Sequence, residues 1–188
     1  MYLYEIKEIK NIAILWFWKE GKSTLDFLLR LWIKSSEITI LDKNDINIHN
    51  INVNIVTWEE YLDSLEKYNL IFKSPWISPY HEKIIPFKDK LTSQTQVFFD
   101  NYEWRTIWIT ATKGKSTVST LIYETLKNAQ YNVKLVGNIG SPVFDEIDLL
   151  DPENYNYVIY ELSSYMLETC KPKCSIAVLW NIYTCHLD

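Results

Sequence analysis

The sequence is short of glycine. Only 4 of its 188 residues are glycine, where average usage of about 7% gives roughly 13 in this length. Cysteine is scarce too: Cys170, Cys174 and Cys185 are the 3 present, too few and too late in the chain for a disulfide scaffold, and they fit a reducing compartment. Long apolar runs are missing, and nothing approaches the roughly 20 residues that span a bilayer. The start, Met1 to Lys10, is charged and lacks a small-residue cleavage site. A basic excess is also absent. The net charge is −5, whereas a nucleic-acid binder shows a basic stripe. The expectation is a soluble, cytoplasmic, monomeric protein with neither nucleic acid nor membrane as partner. Any anionic ligand must be held by local groups rather than by a global field. What is abundant is tryptophan, with 8 residues, and apolar side chains, at 47%, enough for one ordinary core or two small ones.

Along the chain, short apolar runs alternate with helical spacing. Residues 11–17 read as a buried strand, 18–24 as a polar turn and 25–33 as a helix. Residues 38–42 and 52–56 read as strands, 58–68 as a helix, and 70–73 as a strand closed by the turn Ser74-Pro-Trp-Ile-Ser-Pro79. A second series starts near Leu91, with helices over 94–101 and 118–128 and strands over 105–110, 133–136, 157–162 and 175–179. This alternation predicts an α/β protein with parallel sheets. We expect a Rossmann-like domain over residues 1–90, then a P-loop ATPase-type domain over 91–188 that continues past Asp188.

The strongest chemical signal is Thr112-Lys-Gly-Lys-Ser-Thr117, which lies between a strand and a helix. A glycine there lets backbone N–H groups and a helix N-terminus wrap a phosphate. Lys115 would then reach the terminal phosphates and the Ser116 hydroxyl a magnesium ion. The strict pattern G-x-x-x-x-G-K-S/T is not met, because Ile109 stands where its first glycine belongs. A plain helix cap with a solvated Lys115 is the alternative.

Four segments in order resemble the Mur ligase family. Trp108-Ile-Thr-Ala-Thr-Lys-Gly-Lys-Ser-Thr117 resembles its ATP loop, G-(I/V)-T-G-T-(N/K)-G-K-(S/T)-(S/T). Val136-Gly-Asn-Ile-Gly140 resembles its G-N-I-G turn, and Glu161-Leu-Ser-Ser-Tyr-Met-Leu-Glu168 its E-L-S-S-F-Q-L-E. Asn181-Ile-Tyr-Thr-Cys-His-Leu-Asp188 resembles N-(I/V)-x-x-D-H-(L/M)-D. In the first half, Leu15-Trp-Phe-Trp-Lys-Glu-Gly-Lys-Ser23 and Ser74-Pro-Trp-Ile-Ser-Pro79 resemble the glycine turns of the branch that adds D-glutamate. The family also has a C-terminal domain, which lies beyond this chain.

The resemblance implies an ATP-dependent ligase that joins D-glutamate to UDP-N-acetylmuramoyl-L-alanine through an acyl phosphate. ATP and Mg2+ are the implied cofactors. Thr112, Lys113, Gly114, Lys115, Ser116, Thr117 and Val118 would form the ATP loop. Lys115, Glu161 and His186 would be catalytic, and Ser116, Glu161 and His186 would hold metal. Leu15, Trp16, Asp42, Ser74, Pro75, Trp76, Asn138 and Ser163 would meet the UDP-sugar substrate. Other readings stay open. Glu161 and Asp42 can be ordinary strand-end acids, Asn138 a turn residue, and Cys170, Cys174, Cys185 and His186 a loose zinc set. Another ligase of the superfamily, a generic P-loop NTPase, and a nucleotide-binding module without catalysis are the competing functions.

The same resemblance bears on the missing glycines. Trp16, Trp18, Trp76 and Trp108 fall where the family has glycine. Trp32 sits where a helix C-cap glycine is expected, and Trp58 and Trp104 at element boundaries. We read most of these tryptophans as glycines translated through the wrong genetic code, since UGA encodes glycine in some bacterial lineages. An indole has little room in a turn that wraps a phosphate.

Overall fold

The computed structural model describes residues 1–48, 51–102, 105–151 and 155–184. The chain forms two compact units, Met1–Val97 and Phe98–Asp188.

The first unit opens with helix α1 (Leu3–Glu8). Strands β1 (Ile12–Leu15), β2 (Ile38–Asp42), β3 (Asn54–Thr57), β4 (Leu70–Lys73) and β5 (Leu91–Thr92) then form one sheet, in the order β3-β2-β1-β4-β5. Every pairing in it is parallel. Strands β1, β2 and β4 are buried along their whole lengths, as expected of apolar runs covered on both faces. One face packs Ala13, Leu15, Leu41 and Ile71 against Leu62, Leu65 and Ile84. Helix α2 (Lys19–Arg30) links β1 to β2. The strand order reverses direction between β1 and β4, which places a crevice at their carboxyl ends, where open α/β sheets bind ligands. Because β5 pairs with β4, this unit extends past residue 90 to Val97.

Helix α3 (Gln94–Asn101) follows. The second unit's sheet contains β6 (Thr106–Thr110), β7 (Val133–Gly137), β8 (Tyr157–Glu161) and β9 (Ile176–Leu179), in the order β7-β8-β6-β9 and again parallel. Helix α4 (Lys115–Asn128) connects β6 to β7 and packs Val118, Ile122 and Leu126 on Ile107, Ile109 and Ile159. Short helices α5 (Val143–Glu146) and α6 (Ser164–Leu167) cap the remaining loops. No described helix is long and apolar enough to cross a membrane.

Two expectations change. Residues 58–68 form not one helix but two 3-10 turns, Trp58–Leu62 and Leu65–Lys67. Helices α2 and α4 begin earlier than their apolar spacing indicated, at Lys19 and Lys115, so residues 19–24 are helical rather than a turn.

The backbone also answers for the glycines. Among the described residues, six that are not glycine have positive φ, and three of them are tryptophan: Trp16 at 78°, Trp32 at 67° and Trp58 at 66°. That region is rare for bulky residues and ordinary for glycine. Trp32 follows α2 in the Schellman position: its N–H donates to the Leu29 carbonyl at 3.0 Å and the Ile33 N–H to Leu28 at 3.2 Å. Trp18, Trp76 and Trp108 are not in this region, so the backbone supplies no steric case against an indole there. Trp18 and Trp76 are exposed instead. Trp104 lies outside the described residues.

Candidate active site

In the second unit, β6 leads through Ala111 to Lys113 into Gly114, which caps α4 with φ 82° and ψ 8°. This left-handed residue turns the chain so that the first N–H groups of a 14-residue helix open onto the loop. Ala111, in place of the family's glycine, does not have positive φ, so its Cβ is tolerated. The loop is held from outside by Asn181. The Thr112 N–H donates to the Asn181 carbonyl at 3.0 Å and the Lys113 N–H to its Oδ1 at 3.1 Å. Asn181 Nδ2 donates back to the Lys113 carbonyl at 2.9 Å. The Lys115 ammonium folds over the loop and donates to the Ala111 carbonyl at 2.8 Å. Thr110, Ala111, Thr112, Lys115, Ser164 and Asn181 line an adjoining cleft of about 160 Å³.

Glu161 ends β8, between β7 and β6, and is 0% exposed. A buried carboxyl needs hydrogen-bond donors. Ser116 Oγ donates to its Oε1 at 3.3 Å, Ser119 Oγ to Oε2 at 3.0 Å and Asn138 Nδ2 to Oε1 at 3.0 Å. The structure therefore gathers Lys115, Ser116, Asn138 and Glu161 at one sheet edge. Glu161 and the Ser116 hydroxyl are oxygen donors of the kind magnesium prefers.

Ser163 is placed differently from the expectation. It caps α6, its hydroxyl accepting from the Met166 N–H at 3.2 Å, while its neighbour Ser164 lines the cleft. Val118 packs on the core and Thr117 is exposed. His186 and Cys185 lie outside the described residues. For the zinc reading, Cys170 is buried and its thiol is pushed up to about 12 by that burial, with Asp100 adding to the effect. It is held protonated rather than as a metal-binding thiolate.

In the first unit, the turns after β1 and β4 bring Leu15, Trp16, Ser74 and Pro75 together in one crevice. Leu15 is also core, and its carbonyl accepts from the Ser74 N–H at 3.2 Å. Trp76 is exposed beside them. Asp42 is buried and already engaged: its carboxylate accepts from the Phe17 N–H at 2.7 Å and from the Asn44 N–H at 2.9 Å. It fixes the turn after β1 rather than opening onto the crevice. Four polar residues escaped the sequence reading: Glu20, Lys73, Ser119 and Asn181. Asn181 carried a signal, since it opens the last family-like segment.

Residues 109–188 match the Mur ligase middle domain. Over 187 residues the chain is 30% identical to a UDP-N-acetylmuramoylalanine–D-glutamate ligase of Clostridium kluyveri, a match covering 95% of this chain and 40% of that protein. A ligase of the same name from Clostridium botulinum is 30% identical over 190 residues, with the same coverage. A solved structure of MurF ligase from Thermotoga maritima in complex with ADP aligns over 100% of this chain and 38% of its own, at 18% identity and a TM-score of 0.38. The chain thus spans about 40% of the length of the curated relatives it matches. The second unit thus carries the match to the Mur ligase middle domain, and over 95% of its length the chain is similar to curated UDP-N-acetylmuramoylalanine–D-glutamate ligases.

Proposed function

We propose that this chain is the nucleotide-handling part of an ATP-dependent amide-bond ligase that adds D-glutamate to UDP-N-acetylmuramoyl-L-alanine in the cytoplasm. The observation that carries the reading is the convergence of the Gly114–Ser116 loop with Glu161 and Asn138 at the carboxyl edge of β6, β8 and β7. The names of the relatives, matched along 95% of the chain, support D-glutamate as the amino acid.

In this reading the loop N–H groups and Lys115 hold the β- and γ-phosphates of ATP. An oxygen of the substrate carboxylate attacks the γ-phosphorus, the bond to ADP breaks, and an acyl phosphate forms. The D-glutamate nitrogen then attacks the acyl carbon, phosphate leaves, and the amine proton is lost to solvent. The protein contributes mainly position and charge neutralisation. Ser116 and Glu161 would hold Mg2+, which neutralises phosphate charge when bound. Asn138 and Ser119 keep the Glu161 carboxyl in one orientation. The first unit takes the UDP part in the crevice between β1 and β4, with the turn at Leu15 and Trp16 on one side and Ser74 to Trp76 on the other.

The test is phosphate release by the full-length protein with ATP, Mg2+ and UDP-N-acetylmuramoyl-L-alanine. Release that requires D-glutamate supports the reading. Release that requires a different amino acid makes the protein another ligase of the family. Release without any UDP-sugar makes it a plain NTPase.

A further inference from the structure

The ladder between β6 and β9 does not stop where the strands stop. The Trp180 N–H donates to the Thr110 carbonyl at 3.1 Å, and the Thr112 N–H to the Asn181 carbonyl at 3.0 Å. The next step is made by a side chain. Asn181 Oδ1 accepts from the Lys113 N–H at 3.1 Å, and Asn181 Nδ2 donates to the Lys113 carbonyl at 2.9 Å. An amide meets the N–H and the carbonyl of one residue in one orientation only, because the first donates and the second accepts. Just beyond, the Tyr183 N–H donates to Thr112 Oγ1 at 2.9 Å. The N–H groups of Thr112 and Lys113 are thus both taken by Asn181. After Gly114 the situation reverses. The N–H groups of Lys115, Ser116 and Thr117 open the helix and have no partner within it. The first inward bond of α4 runs from the Val118 N–H to the Gly114 carbonyl at 3.0 Å. Gly114, with φ 82°, is the joint between the tethered and the open parts of the loop.

We infer that Asn181 is a positioning residue for the phosphates of a nucleotide: it tethers the loop ahead of Gly114, so that the N–H groups after Gly114 are held ready for the anion. The inference rests on the reading that this loop takes ATP. A free loop samples many conformations, and ordering it on binding costs affinity. Asn181 imposes that order within the fold, before the ligand arrives. The tether also divides the work. Thr112 and Lys113 give no main-chain donor to the phosphates, and the donors begin at Gly114. A carboxylate in place of the amide would still accept from the Lys113 N–H, but would set an oxygen against the Lys113 carbonyl. A neutral carboxyl would not, because its O–H donates where Nδ2 donates now. Asn181→Asp is therefore a tether that opens when it ionises.

The experiment is calorimetric titration of the full-length protein with ADP and Mg2+, each variant compared with the wild type at the same pH so that ionisation of the ADP phosphate cancels. Asn181→Ala is expected to bind about tenfold more weakly than the wild type at every pH. Asn181→Asp is expected to bind at least as weakly as the alanine variant at about pH 8, and to approach the wild type at about pH 5, as its carboxyl nears the range where it holds a proton. A merely structural role would give no such recovery. Wild-type affinity in Asn181→Ala overturns the inference, and so does an Asn181→Asp deficit that is constant across pH. Hydrogen exchange in the wild type tests the same point whether or not the variants fold. The Lys113 amide should be protected before ADP is added, and the Lys115 and Ser116 amides should gain protection only afterwards. A Lys113 amide protected only with ADP overturns the inference and leaves the nucleotide reading standing. No ADP binding by the wild type removes the nucleotide reading, and the inference with it.

Discussion

Asn138 grips Glu161 twice. Its side-chain amide donates to the carboxyl Oε1 at 3.0 Å, and its backbone N–H donates to the Glu161 carbonyl at 2.9 Å. The pair joins the end of β7 to the end of β8, and Gly137 and Glu161 are register partners in that pairing. Asn138→Ala leaves the carboxyl with two serine donors, whereas Asn138→Asp sets a second carboxyl against a buried one. Phosphate release by the full-length protein should fall about tenfold to a hundredfold in the alanine variant, and further in the aspartate variant. An aspartate variant as active as the wild type would show that the amide does not orient Glu161 for catalysis.

Gly137 makes that grip possible. Its φ is +105°, and a Cβ built there would lie 2.3 Å from the Glu161 carbonyl oxygen and 2.7 Å from the Tyr160 ring. The carbonyl belongs to a central strand and cannot retreat. Gly137→Ala should therefore destabilise the protein by several kcal/mol, about 3 or more, by combining backbone strain with overpacking. A melting temperature within a degree or two of the wild type would contradict the close approach of β7 to β8.

Glu20 gives a stability prediction with a definite sign. Its carboxyl is raised on folding from 4.5 to about 7, chiefly by burial. A raised acid favours the fold while it is neutral. Its contribution is complete below the unfolded value and is lost as pH rises through about 7. Glu20→Gln stays neutral throughout, so its melting temperature relative to the wild type should rise between about pH 5 and about pH 8. A difference that stays constant across this range would mean that Glu20 titrates normally.

Much of this architecture was legible from apolar periodicity. The runs that became β1, β2 and β4 are apolar because both faces of the sheet are covered, and their parallel pairing followed from strand–helix alternation. The loop that leads into α4 was legible from Gly114, Lys115 and Ser116. Helix starts were not, because the first turns of α2 and α4 are polar (Lys19 to Thr24 and Lys115 to Thr117), and apolar spacing begins only where the helix meets the core. The stretch 58–68 misled for a related reason. Tyr61, Leu62, Leu65 and Tyr68 fall at helical intervals, yet they equally serve two 3-10 turns that break at Asp63 and Ser64. Glu20 and Lys73 were overlooked because a charged residue in sequence carries no mark of its burial. Only the register of β1 against β4 brings them into one crevice.

The tryptophans yield the most direct test of the sequence itself. Trp32 is 90% exposed, so its indole contributes little packing, and its φ of 67° is imposed by the Schellman hydrogen bonds that end α2. The hydrogen bonds use only backbone atoms and survive any substitution that accepts this φ. Glycine accepts it without strain, and its greater unfolded-state freedom offsets only part of the gain. Trp32→Gly should therefore stabilise the protein by about 1 kcal/mol, read as a rise of a few degrees in melting temperature. The same reasoning predicts that peptide masses of the protein isolated from its natural host show glycine at positions 16, 32 and 58, the three tryptophans with left-handed backbone. Tryptophan masses at all three, with a Trp32→Gly variant less stable than its parent, would mean that the indoles are native and that these turns carry their strain for another reason.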